Sequence, residues 1–146
     1  MRKISILFVL LCLITGLPAA ASCRPTEPVY PLEPQVLILS PSVDSVFNAG
    51  PVTVKVFVES LQLVDKAGQD NVPGEGHLIY YLDVAPPVEM GQTAIPSSGD
   101  YVVSTDTSYT WPDLSSGEHV LAVQVVNNDN TPIRYPSAVR VNITVK

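Results

Sequence analysis

The sequence predicts an all-β protein: a single antiparallel β-sandwich of about seven strands, placed behind an export signal and a proline-rich linker. Three observations lead there. Apolar residues recur with a period of two through almost all of 36–145. Fourteen prolines and eight glycines fall mostly between those runs, where turns belong. No window offers an amphipathic helix of useful length, and parallel α/β architectures need such crossover helices. Six to eight short strands in about 110 residues suit one sandwich domain.

Residues 1–22 read as a signal peptide. Arg2 and Lys3 form a basic start, Ile4 to Leu17 a nearly unbroken apolar run, and Ala19 to Ser22 a small-residue approach to cleavage. The run of about 14 residues is short of the roughly 20 that cross a bilayer. The stretch Ala20-Ala21-Ser22-Cys23 resembles the lipobox of bacterial lipoproteins, with Ala20 where that motif most often has Leu. The resemblance implies that Cys23 is lipidated and becomes the first residue, anchoring the protein to a membrane on its extracytoplasmic side. Ordinary cleavage after Ala21 is the alternative. It leaves an orphan thiol, because the only other cysteine, Cys12, lies in the removed segment. Residues 23–34 hold Pro25, Pro28, Pro31 and Pro34, an extended spacer of roughly 30–35 Å.

Residues 35–146 form the predicted domain. Val36 to Leu39 is a short apolar strand that stops at Ser40-Pro41. Residues 51–59 alternate, with Val52, Val54, Val56 and Val58 opposite Thr53, Lys55, Phe57 and Glu59. Residues 77–84 alternate again, with Leu78, Tyr80, Leu82 and Val84 opposite His77, Ile79, Tyr81 and Asp83. Two short pieces, 101–104 and 108–111, precede the long strands 119–127 and 138–145. The expected core is Val54, Val56, Leu78, Leu82, Leu121, Val123 and Val125, with Gln124 facing outward.

All fourteen acidic residues but only six of eight basic ones follow the signal, giving a net charge of −8 beyond it. Nucleic acid and anionic headgroups require clustered Lys and Arg, so neither is an expected partner.

The segment from Trp111 through Leu114 and Gly117 to Val125 resembles immunoglobulin-like and fibronectin type III-like domains. There an aromatic strand, a Leu and a Gly turn lead into a long alternating strand. The antibody-type disulfide and the mid-chain Trp packed on it are missing. A narrower resemblance covers Gly74–Asp83, Leu114–Leu121 and Val126–Pro132, which are similar to a family of small exported prokaryotic β-sandwich domains. Members carry more histidines in the first and third motifs, where this chain has Ile79 and Asn130.

Candidate chemistry rests on His77 and His119. Antiparallel pairing of 77–84 with 118–127 is expected to set His77 near Asn127, Asn128 and Asp129, and His119 near Asp83 at the opposite end. Most of a strand length, roughly 20 Å, then separates the two rings, so they share no metal ion. The candidate ligand-binding residues are His77, Glu75, Asn127, Asn128 and Asp129, where loops 71–77 and 127–135 converge. His119 is expected to be partly exposed and without a functional role. No nucleophile elbow, paired-carboxylate cleft or phosphate-cradling loop is present, so neither an enzyme nor a cofactor is expected. Asn142-Ile143-Thr144 is a weak glycosylation sequon inside a predicted strand.

Three function classes follow. The first is a non-enzymatic binding module on a lipid anchor, its ligand unspecified. About half of Tyr80, Tyr81, Tyr101, Tyr109, Trp111 and Tyr135 would be available for contacts, and the rest would be core. The second is an exported copper- or zinc-handling protein using His77 and nearby carboxylates. The third is a hydrolase, for which the residues offer least.

Overall fold

The computed structural model describes residues 32–133 and 137–146. The signal peptide, Cys23, most of the linker and Tyr135 lie outside the described residues. The described residues contain nine strands: β1 (Gln35–Ser40), β2 (Ser45–Phe47), β3 (Gly50–Glu59), β4 (Gln62–Leu63), β5 (Glu75–Leu82), β6 (Asp100–Ser104), β7 (Ser108–Leu114), β8 (Gly117–Val126) and β9 (Ala138–Val145). They form two sheets. One has the order β1-β3-β7, and the other β2-β9-β8-β5-β4, with β6 also paired to β5. The long pairs are antiparallel, and two short pairs, β2–β9 and β4–β5, are parallel. This is an immunoglobulin-like β-sandwich.

The seven runs expected to be strands became β1, β3, β5, β6, β7, β8 and β9. The two additional strands have three and two residues, too few for a period to register in sequence.

Alternation sets the core. Val52, Val54 and Val56 of β3 and Trp111 and Leu114 of β7 face Leu78 and Tyr80 of β5, Leu121, Val123 and Val125 of β8, and Val141, Ile143 and Val145 of β9. Each fully buried Val or Leu contributes about 1.5–3 kcal/mol of transfer free energy. Tyr109 packs edge-on to Trp111 with ring centroids 5.0 Å apart. Tyr80 donates its hydroxyl to the Asp106 carbonyl at 2.7 Å, and burial pushes its pKa up to about 12. Of the seven expected core residues, six are buried and Leu82 is half-buried.

The expectation that Gln124 faces solvent is corrected. Gln124 points to the outer face of its sheet, as its parity requires, but that face is covered. The segment 83–99 folds back over it and closes a second apolar cluster of Ile79, Tyr81, Ala94, Ala122 and Val126. Gln124 has no exposed surface and its amide is fully engaged. Its Oε1 accepts from the Tyr81 hydroxyl at 2.6 Å, and its Nε2 donates to the Pro87 carbonyl at 2.9 Å and to Ser137 Oγ at 2.8 Å. A buried amide with its partners in place belongs in a core. Hence β5 is buried on both faces.

Candidate functional site

The loops expected to converge do so. His77 lies opposite Val126 in the β5–β8 ladder, so the chain leaving β8 passes over the start of β5. The Gly68 N–H donates to the Asn128 carbonyl at 2.6 Å. Asn71 grips Asp129 twice, donating to Oδ2 at 2.8 Å and accepting the Asp129 N–H at 3.0 Å. Asp129 Oδ1 also accepts from the Thr131 N–H and hydroxyl, at 2.9 and 2.7 Å, closing an Asx-type turn. Burial works against ionisation of Asp129, but the hydrogen bonds from Thr131 and Asn71 outweigh it and hold the carboxyl below its ordinary value.

Glu75 is held in the same way. Lys66 Nζ lies 2.6 Å from its Oε2 and keeps its carboxyl below the usual range. Asn128 is buried and donates to the Asp70 carbonyl at 3.3 Å and to Glu75 at 3.5 Å. Asn127 donates to Thr131 Oγ1 at 3.1 Å.

His77 sits beneath this arrangement, 1% exposed. Its Nε2 is 2.9 Å from Asn130 Oδ1. An amide oxygen only accepts, so Nε2 carries the proton and Nδ1 keeps its lone pair. Nδ1 is buried and has no protein partner among the described residues. Burial lowers the pKa of His77 against the opposing pull of Asn130 and Asp65, so the ring is neutral. Asn130 adopts a positive φ of 64°, a conformation Asn tolerates. Its N–H donates to Asn127 and its carbonyl accepts from the Ala94 N–H, at 3.0 and 2.7 Å.

His77, Glu75, Asn127, Asn128 and Asp129 are therefore brought together as expected, yet most of their polar groups are taken up by neighbouring loop residues, Lys66, Asp70, Asn71, Asn130 and Thr131, while His77 Nδ1 and Asn128 Oδ1 are buried without a partner among the described residues. The arrangement is a clasp that ties loop to loop. A cleft of about 250 Å³ opens beside the ring, lined by His77 itself with Asp65, Ser104 and Thr105 among others, while the Nδ1 atom is buried. Among the described residues, no group of three or more His, Cys, Asp or Glu side chains is placed to hold a metal ion.

His119 occupies the opposite end of the ladder. Its Nδ1 is 2.8 Å from Asp83 Oδ2 and its Nε2 is 2.9 Å from the Ser115 carbonyl. Asp83 first, then Ser115, raise its pKa. Asp83 also accepts the Val120 N–H at 2.8 Å, so the pair fastens the end of β5 to β8. The two histidines act on stability with opposite signs. The folded state favours charged His119, whose contribution is present below the unfolded pKa of about 6.5 and lost as pH rises through the folded value. It favours neutral His77, whose contribution is present above about 6.5 and lost as pH falls through the folded value. His119→Gln is thus expected to cost no more than about 1 kcal/mol and to lose more stability than the parent between pH 8 and pH 5, since only His77 then titrates in the sensitive direction. Urea unfolding at the two pH values checks this. A smaller acid loss in the variant would contradict it.

A second surface was not singled out in the sequence. On the outer face of the three-stranded sheet, Phe57 of β3 is registered directly opposite Leu37 of β1, with Leu39 two residues further along the same face. Their exposures are 53%, 58% and 60%. Apolar residues scattered singly over a surface need no explanation, whereas these three are contiguous, and contiguous exposed apolar patches above a few hundred Å² mark contact sites. Thr53 and Thr110 cross-bond at 2.8 Å on this face, and Lys55 and Glu59 stand exposed on either side of Phe57. The signal available in the sequence was a phenylalanine in an otherwise polar row of β3.

No protein-family model matches the chain, and a comparison with curated proteins finds no match. Among solved structures, the chain is similar to a fibronectin(III)-like module of Clostridium thermocellum CbhA, at 13% identity and a TM-score of 0.47. That match covers 77% of this chain and 97% of the module. It is also similar to an engineered protein at 16% identity and a TM-score of 0.45, covering 80% of this chain and 21% of the other. The fold assignment itself rests on the strand pairing described above.

Proposed function

We propose that this protein is a non-enzymatic binding module, held by a lipid on Cys23 to the extracytoplasmic side of a cell membrane. Its contact surface is the outer face of the three-stranded sheet around Phe57. The exposed Leu37–Phe57 pair, extended by Leu39, is the observation that carries this reading. The alternative surface, the polar clasp around His77, has most of its hydrogen-bonding groups satisfied internally and presents few to a ligand. The signal sequence, the lipobox-like stretch and the proline spacer support an anchored display, and the acidic body argues against nucleic acid as a partner.

Two experiments test the two halves of the reading. Cys23→Ser is expected to move the protein from the membrane fraction to the soluble fraction, and unchanged membrane retention would contradict the anchor. A photo-crosslinking benzophenone amino acid placed at position 57 is expected to capture a protein in intact cells, whereas the same group at Asp70, beside the clasp, captures none. Adducts from position 70 with none from position 57 would overturn the assignment of the surface.

A further inference from the structure

The outer face around Phe57 has an internal symmetry that its apolar character alone does not explain. Residues two apart on a strand lie about 7 Å apart on one face, so Lys55 and Glu59 flank Phe57 at equal distances with opposite charge. Leu37 sits beside Phe57 on the neighbouring strand, and Gln35 beside Glu59. A twofold axis running across the strands at Phe57 turns this face onto a copy of itself. Phe57 then meets Phe57, Leu37 meets Leu37, and Lys55 of each copy meets Glu59 of the other.

We propose that the occupant of this face is a second copy of the same chain, packed sheet on sheet about that axis. The inference rests on the reading of this face as the contact surface and names its partner. Isologous packing requires such self-complementarity, with residue i against j and j against i, and aligned sheets pack about 10 Å apart with interdigitating side chains. Charge complementarity favours a second copy over an unrelated partner, because each copy carries one Lys and one Glu at positions that the axis exchanges, so two ion pairs form, each with one member from each copy. The area sets the strength. Three strands cover about 14 Å by 20–30 Å, a projected area of about 300–400 Å² per copy. That falls below the roughly 800 Å² per partner of a stable complex. The dimer is therefore weak in dilute solution, and tethering to a shared membrane raises its population by effective concentration.

The test uses the full chain in intact cells, with the benzophenone group at position 57. The parent is expected to give an adduct of twice the chain mass. Lys55→Glu places two acidic residues against each other across the axis and Glu59→Lys two basic ones, so each single variant lowers that adduct about tenfold or more. The double variant Lys55→Glu/Glu59→Lys restores it. Co-expression of the two single variants, separately tagged, also restores it, as an adduct carrying both tags. An adduct of another mass, insensitive to these substitutions, would overturn the second copy while leaving the contact surface standing. No adduct at all would overturn both. A double-mass adduct indifferent to the charge reversals would overturn the twofold arrangement.

Discussion

Gly76→Ala is expected to be the most damaging small substitution in the domain. A Cβ at Gly76 would collide with the Val126 carbonyl oxygen and stand 3.3 Å from Leu61 Cδ2. The first of these is backbone, so no side-chain rotation relieves it, and the start of β5 and the end of β8 must move apart. Forced repacking of this kind costs about 3 kcal/mol, a fall in Tm of about 10 °C for a domain of this size. The damage lands beside the clasp, because His77 follows immediately and Val126 leads into 127–133. Thermal unfolding followed by circular dichroism measures it, and a fall below about 3 °C would show that the strands separate there at little cost.

Gln124→Leu is expected to destabilise the domain by about 2–3 kcal/mol despite conserving volume. The substitution leaves the Pro87 carbonyl and the Ser137 hydroxyl facing an apolar side chain, and each buried group left unpaired costs about 1–3 kcal/mol. Tyr81 loses less. Its hydroxyl has one proton and two acceptors in reach, Gln124 Oε1 at 2.6 Å and the Ala94 carbonyl at 2.9 Å, so it turns to Ala94. Tyr81→Phe alone is correspondingly expected to cost about 1 kcal/mol, and the two substitutions together less than their sum, since they remove a shared bond. Urea unfolding of the four proteins gives the cycle. Hydrogen exchange adds the local consequence: the Ala94 amide, bonded to the Asn130 carbonyl at 2.7 Å, is expected to exchange faster in Gln124→Leu as 83–99 loosens. Additive effects with unchanged exchange at Ala94 would contradict a network that pins this segment.

Both substitutions fall where local sequence pattern no longer determines the surroundings of a residue. Alternation located β3, β5, β8 and β9 because a residue's parity decides its face, and the β5–β8 register followed well enough to place His77 near 127–129 and His119 near Asp83. The same rule assigned Gln124 to the outer face correctly. It could not show that a segment distant along the ladder covers that face, because coverage is a tertiary fact. The available hint was Ile79 and Tyr81 sharing the supposedly solvated face of β5. Convergence of the loops around His77 was legible from antiparallel pairing. Their mutual satisfaction was not, since Asn and Asp look alike in a ligand site and in an Asx turn. Leu37 and Leu39 were hidden for another reason. β1 is apolar at four successive positions, so its inward residues, Val36 and Ile38, could not be told from its outward ones without β3 beside it.

Two surfaces compete for the contact role, the apolar face at Phe57 and the polar clasp at His77. Hydroxyl-radical footprinting of the full chain decides between them, comparing protein in its native membrane with protein purified and diluted. Oxidation of Leu37, Leu39 and Phe57 is expected to be suppressed in the membrane and to recover on dilution, while Lys66 and Val72 beside the clasp react equally in both. Equal oxidation of Phe57 in the two states, with protection confined to 66–72, would contradict the Phe57 face as the contact surface.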